Sequence, residues 1–404
     1  VSPVVVSGMR PTGRLHLGHY HGVLKNWLRL QNSAECYFFV ADWHALTTHY
    51  ETPGGIAEAS WDLLTEWLAV GIDPERATLF LQSWVPQHAE LALLLGMLTP
   101  LSWLERVPTF KDQQEKLRER DLATYGFLGY PLLMTADILL YGAEEVPVGA
   151  DQVAHLEISR ELARRFNFLY GREADAPARV ADAEKRMGKA WTRAYRDLVQ
   201  RYRTAGDVQA VEEAQALLAE ACSLSADDRA LLLRELQGRG REILVEPRAL
   251  LTEAARMPGL DGQKMSKSYG NTIALREDPD SVRQKLRTMP TDPARVRRQD
   301  PGDPDKCPVF ALHQVYSDAQ RREWVVAGCR SAGIGCLECK SPLIDSVLEE
   351  LAPIRERAEF WAARPAELRD LAKQGAARAR RRAEGTLDRV RAAMGLVLGD
   401  DHPR

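Results

Sequence analysis

The stretch "SGMRPTGRLHLGHY", residues 7–20, decides how the rest of the chain is read. It follows the apolar run Val4-Val5-Val6 and gives way to Val23, Trp27 and Leu30 at helical spacing. A short strand that stops at a turn rich in glycine and proline and re-emerges as a helix is the opening of a βαβ unit. The first N–H groups of such a helix lack partners within it and suit anionic oxygens. His16 and His19 lie three residues apart at the helix start, which makes them neighbours in space. At this level they are either polar caps or donors that hold the phosphates of ATP and stabilise charge growing at the α-phosphate.

Outward from this turn the alternation continues through "CYFFVADW", a helical pattern over residues 61–70, and "ATLFLQ". It predicts an α/β fold, a Rossmann-like parallel sheet with helices on both faces that binds ligands at the carboxyl ends of its strands. Between 171 and 241 the rhythm changes. Met187, Trp191, Tyr195 and Leu198 predict one amphipathic helix, Val211, Leu217, Leu218 and Ala221 a second, and "SADD" from Ser225 the capped start of a third. This reads as a helical insertion. The sheet pattern resumes in "EILVEPRALL", and beyond Asp278 the signals are helical apart from a turn-rich stretch over 288–308. The last helix places Leu371, Leu387, Val390, Met394 and Leu396 on an expected buried stripe, with a basic face at 378–382. The expected division is a catalytic domain in two parts, 1–170 and 242–277, the insertion at 171–241, and an all-helical C-terminal domain at 278–404.

Composition sets limits on partners. The 404 residues carry 54 Lys plus Arg against 57 Asp plus Glu, a net charge of -3, so any phosphate-binding surface must be local. With 45% hydrophobic and 27% charged residues the chain is an ordinary globular one. Its apolar runs, such as "YPLLMTADILLY" with Asp137 inside it, are too short for a membrane span. With no signal-peptide pattern at Val1, a cytoplasmic location without membrane partners is expected. Six cysteines are too few for a disulfide framework.

A second motif supplies cations. "DGQKMSKSYGN", residues 261–271, presents Lys264 and Lys267 for a triphosphate that loses pyrophosphate, with Ser266 and Ser268 as further donors. Alone, such a loop is usually a solvated basic turn. Combined with the His-x-Gly-His turn some 250 residues earlier, it resembles the joint signature of class I aminoacyl-tRNA synthetases. A helix over 130–141 would set Tyr130, Met134 and either Asp137 or Ile138 on one face. A carboxylate amid apolar neighbours suits an indole N–H; the plain alternative makes Met134 and Ile138 core and Asp137 a local cap.

With "ADWHALTTHY", "RVPTFKD", "YPLLMTADILLY" and "VPVGADQ" added, the sequence resembles bacterial tryptophanyl-tRNA synthetases. The resemblance implies activation of tryptophan by ATP and Mg2+, transfer to the terminal 2′-hydroxyl of tRNA(Trp), and a homodimer. It assigns Asp137 to the indole nitrogen, Met134, Ile138, Val146 and Val148 to the ring, and Tyr130 and Gln152 to the α-amino group, with His44 also in the tryptophan site. It assigns His16, His19, Lys111, Lys264 and Lys267 to catalysis. ATP contacts fall to Arg10, Thr12, Gly13, His16, Gly18, His19, Gly149, Asp151, Gln152, Lys264, Met265, Ser266, Lys267 and Ser268. Where many members have Gly-Glu-Asp-Gln, this chain has Gly149-Ala150-Asp151-Gln152, which removes a charge near the ribose; Arg10 replaces a frequent Gln.

Cys307, Cys329, Cys336 and Cys339 are separated by 21, 6 and 2 residues. Four thiolates ending in Cys-x2-Cys can hold zinc or a four-iron four-sulfur cluster, or stay unliganded, and spacing does not decide. The resemblance implies the cluster, since a subset of the family carries one on similar spacing. Cys36 and Cys222 are expected in the core. The basic segment 291–298 lies where the family reads the anticodon, and 378–382 either meets tRNA phosphates or forms a solvated face. The rivals are a tyrosyl enzyme, a nucleotidylyltransferase sharing the first motif, and a non-catalytic paralogue that binds tryptophan or tRNA.

Overall fold

A computed structural model describes residues 2–105, 124–149, 152–171, 175–205, 207, 209–238, 241–251 and 257–396. Lys111, the "RVPTFKD" motif and Asp151 lie outside the described residues. The chain forms two compact units. The first comprises Val1–Val85, Pro147–Ala150 and Leu250–Ala379, and the second Pro86–Val146, Asp151–Ala249 and Arg380–Arg404.

A five-stranded sheet organises the fold. Its strands are β1 (Val4–Met9), β2 (Glu35–Val40), β3 (Ala77–Leu81), β4 (Glu145–Val148) and β5 (Arg248–Leu251), in the spatial order β3-β2-β1-β4-β5. β1, β2 and β3 pair in parallel, with Val5 beside Cys36 and Cys36 beside Ala77. The near-continuous apolar runs of β1 and β2 suit strands covered on both faces. After β1 the chain forms α1 (Leu17–His19), a π-helical turn (Tyr20–Leu24) and α2 (Lys25–Leu30). Next come α3 (Asp42–His49), α4 (Ile56–Val70), bounded by Gly55 and Gly71 at positive φ, and α5 (Gln87–Gly96). Trp27 of α2 stacks on Phe38 of β2 at 4.1 Å between ring centroids and meets Trp67 of α4 edge-on at 5.0 Å. The long helix Cys336–Ala362 packs along α4, burying Leu343, Val347, Leu351 and Ile354 in the same core.

The helical insertion has a core of its own, built from Met187, Tyr195, Leu198, Ala214, Leu218, Leu232 and Leu236. The expected single helix through Met187, Trp191, Tyr195 and Leu198 is two. Gly188, at φ 87°, separates Ala176–Met187 from Lys189–Ala205, and Trp191 is left on the surface side. Ser225 caps Ala226–Leu236 with the expected capping box through Asp228. The strand pattern of "EILVEPRALL" is realised only from Arg248, because the buried Asn167 side chain takes the backbone bonds of Ile243 and Leu244.

Two other expectations fail on burial. Cys222 is exposed, whereas Cys36 is in the core. Of the stripe expected at the C-terminus, Leu387 and Val390 are buried in the helix Pro365–Ala393, Leu371 and Met394 are half-buried, and Leu396, beyond the helix, is exposed. The buried stripe also takes in Leu368 and the small residues Ala372, Ala376, Ala379 and Ala383, which admit close packing. Of the basic face, Arg378 donates to the Pro74 carbonyl and Arg382 to that of Tyr141. No helix among the described residues is long and apolar enough to cross a membrane.

Candidate active site

The turn after β1 is tied down from three sides. His16 caps α1 with its own ring: Nδ1 accepts from the Gly18 N–H at 3.1 Å, and His19 Nδ1 accepts from the His16 N–H at 3.2 Å. Both Nδ1 atoms are therefore acceptors, and a neutral ring then carries its proton on Nε2. Burial, reinforced by the charge of Lys267, lowers the pKa of His16 to about 4; burial, His16 and Lys267 lower that of His19 to about 3. At neutral pH each is an uncharged ring with one Nε2–H to give. Gly18 is required for this closeness, since a Cβ there would stand 2.8 Å from the His16 ring.

The lysine loop docks on the same turn. Leu17 N donates to the Ile273 carbonyl and Leu275 N to that of Leu15, each at 3.0 Å, which stitches the segment after the loop to the segment before α1. Lys267 Nζ donates to the carbonyls of Thr12 at 3.1 Å and Gly13 at 2.9 Å, with Gly13 at φ 95°. Buried Asn271 organises the loop: it accepts from Ser266 N at 2.8 Å and donates to Asp261 and to the Lys264 carbonyl. Met265 is buried and its N–H is taken by the Met257 carbonyl, so it anchors the loop, while Lys264 and Lys267 remain at the surface. Ser266 and Ser268 hydroxyls bond one another at 2.9 Å. Arg10 donates to Thr48 of α3.

Behind the turn stands a residue that the sequence reading missed. Glu66 of α4 is fully buried, accepts from Leu15 N at 2.8 Å through Oε2, and leaves Oε1 without a hydrogen bond. Burial raises its pKa to about 7, against the Leu15 N–H bond and the charges of Arg276 and Lys267. The only signal in sequence was one acid inside the apolar run "LLTEWLAV".

The second unit builds a separate polar cluster on the helix Tyr130–Leu139. Asp137 is 2% exposed and meets His88 Nδ1 of α5 at 2.6 Å; His88 Nε2 meets the Tyr141 hydroxyl at 2.7 Å. The Tyr130 hydroxyl bonds His155 Nε2, and Thr135 Oγ1 meets Ser159 Oγ at 2.9 Å. Ile138 and Val146 are buried, Met134, Val148 and Gly149 half-buried, and Gln152 precedes the helix Val153–Tyr170. His44 is half-buried on α3 in the first unit. Nothing in the sequence pattern pointed to His88 or His155.

An uncharged histidine pair on the turn after the opening strand, with the lysine loop docked on that turn, lies in a chain that matches a known sequence profile. The profile of class I tRNA synthetases (W and Y) matches residues 2–190 and 228–352. The chain belongs to that family. It is 62% identical to the tryptophan–tRNA ligase of Ralstonia nicotianae, over 97% of this chain and 98% of that one. It is 41% identical to the tryptophan–tRNA ligase of Thermotoga maritima, over 98% and 99%. The tryptophanyl-tRNA synthetase of Campylobacter jejuni, solved with ADP and tryptophan, superposes with a TM-score of 0.72 at 26% identity, covering 97% of this chain and all of that one.

The four clustered cysteines of this class I synthetase are free thiols in the first unit. Cys339 has its pKa pushed up to about 12, by burial first and then by Cys307, Cys329 and Cys336. Arg295 Nη1 stands 3.9 Å from Cys329 Sγ and His313 Nε2 3.4 Å from Cys339 Sγ. Among the described residues, no three His, Cys, Asp or Glu side chains are arranged as a ready metal site. Arg295, in the segment expected to face tRNA, is turned inward to the Arg298 and Ile334 carbonyls.

Proposed function

We propose that this class I synthetase is a tryptophan–tRNA ligase. It joins the tryptophan carboxylate to the α-phosphate of ATP, releases pyrophosphate, and passes tryptophan from the adenylate to the 2′-hydroxyl of the terminal adenosine of tRNA(Trp). The observation that carries the reading is Lys267 seated on the Thr12 and Gly13 carbonyls beside the His16–His19 capping pair. The 62% identity to a tryptophan–tRNA ligase supports the choice of amino acid, as does the buried Asp137.

The chemistry asks for positioning and charge balance rather than a covalent enzyme intermediate. The Nε2–H groups of His16 and His19 donate to phosphate oxygens without adding charge. Lys264, Lys267 and Lys111, with the magnesium that accompanies ATP, balance the departing pyrophosphate. Arg10, Thr12, Gly13, Gly18 and the Gly149–Gln152 segment complete the nucleotide site. Asp137 takes the indole N–H, Met134, Ile138, Val146 and Val148 enclose the ring, and Tyr130, Gln152 and His44 serve the rest of the amino acid. The domain division given above, a homodimer and a cytoplasmic location belong to the same reading.

The reading extends to a metal group on Cys307, Cys329, Cys336 and Cys339, a four-iron four-sulfur cluster in preference to zinc. It is supported by the donor set, four unbridged cysteine thiols within one unit. It takes no part in the reaction. Iron, sulfide and zinc analysis of protein purified without air tests it, and zinc alone, or no metal, overturns the cluster.

Pyrophosphate exchange into ATP, run with each of the twenty amino acids, tests the activity. Exchange with tryptophan alone is expected. Exchange with tyrosine overturns the pocket assignment; none, even with tRNA present, points to a non-catalytic paralogue.

A further inference from the structure

We infer that His88 is a positioning residue for tryptophan selection, holding Asp137 as a fixed acceptor from behind, with Tyr141 holding His88. The inference rests on the proposed pairing of Asp137 with the indole N–H. An ionised carboxylate has only acceptors, so at 2.6 Å His88 Nδ1 must be the donor, whether the ring is neutral or protonated. The Tyr141 hydroxyl, 2.7 Å from Nε2, fixes the opposite edge of the ring, and His88 and Tyr141 are both fully buried. Tyr141, His88 and Asp137, all of the second unit, thus join in one chain of hydrogen bonds. The Tyr130–Leu139 helix carries Asp137, α5 carries His88, and Tyr141 lies just beyond the Tyr130–Leu139 helix.

Two consequences follow from the charge. A buried carboxylate without such a donor tends to take up a proton, and a protonated one can turn its hydroxyl, rather than an acceptor, towards the ligand. The His88 donor on one oxygen fixes the plane of the Asp137 carboxylate. A site that satisfies an N–H by a charged, oriented acceptor discriminates strongly against an isostere lacking it, because the acceptor is left desolvated and unpaired. His88 therefore acts on selectivity and not on phosphate chemistry.

The test compares tryptophan with its isostere in which sulfur replaces the indole N–H, by pyrophosphate exchange with the full-length enzyme. The parent is expected to prefer tryptophan by about 100-fold or more in kcat/KM. His88→Leu removes the donor and should lower that preference about 10-fold to 100-fold through KM for tryptophan, leaving KM for ATP unchanged. His88→Asn places an amide N–H where Nδ1 stood and should restore most of the preference, which a merely structural role for the ring would not produce. If the parent itself shows no preference, the assignment of Asp137 to the indole fails and the inference with it. If the parent discriminates and His88→Leu discriminates equally, or Asn fails to rescue a folded protein, the role given to His88 is wrong while the assignment of Asp137 stands.

Discussion

Glu66→Gln isolates what a carboxylate costs behind the turn that holds His16 and His19. Glu66 is fully buried, with one oxygen on Leu15 N at 2.8 Å and the other unbonded, and its pKa is raised from 4.5 to about 7. A carboxyl whose pKa is higher in the folded state binds its proton more tightly there. Its contribution to stability is thus fully present below the unfolded value and is lost as pH rises through the folded one. At about 1.4 kcal/mol per pKa unit the loss amounts to roughly 3 kcal/mol between pH 4.5 and pH 8. Glutamine keeps an acceptor for Leu15 N and cannot ionise. The variant should match the parent near pH 4.5 and exceed it by roughly 3 kcal/mol at pH 8, read from denaturant midpoints at both pH values. Titration of His16 and His19 occurs in both proteins and cancels in the difference. A difference that is the same at both pH values would refute the reasoning, since Glu66 would then ionise in the fold as easily as in the unfolded chain.

Two other perturbations test the placement of parts. Lys267→Ala removes the ammonium that bridges the Thr12 and Gly13 carbonyls, and pyrophosphate exchange should lose about 100-fold in kcat/KM for ATP with little change in melting temperature; unchanged exchange would show that the loop carries no phosphate charge. Gly375→Ala drives a Cβ into the Leu79 carbonyl of β3 and should cost about 3 kcal/mol, whereas Gly385→Ala, on the same helix with open space around it, should gain about 0.5–1 kcal/mol. Equal effects of the two alanines in thermal unfolding would mean the helix does not press on the sheet as described.

Periodicity and punctuation carried the local structure in this chain. The strand, turn and helix around residues 7–20, the apolar β2, and the Ser225 cap each depend on neighbours within a few positions, where spacing is a sufficient guide. The break at Gly188 depended on one glycine at positive φ, which an unbroken apolar stripe conceals. The coil over 242–247 depended on Asn167, some 75 residues away, which competes for the backbone bonds a strand would use. The same difference separates the site residues. The motifs that carry His16, His19, Lys264 and Lys267 are local, and the docking of Lys267 on the histidine turn brings the two motifs together as the resemblance implied.

The state of these side chains was not legible in the sequence. That His16 and His19 are neutral acceptors at Nδ1 and donors only at Nε2 follows from two backbone N–H groups and from burial, neither of which has a sequence signature. Glu66, His88 and Tyr141 act through contacts 49 to 53 residues apart in the chain, or through the single Leu15 N–H 51 residues away. Sequence alone determined which chemical groups the protein possesses and the order of its main elements along the chain. Tertiary structure decided which of those groups are desolvated, which oxygen or nitrogen each presents, and what stands behind it, because dielectric and hydrogen-bond geometry exist only once distant segments have been packed together.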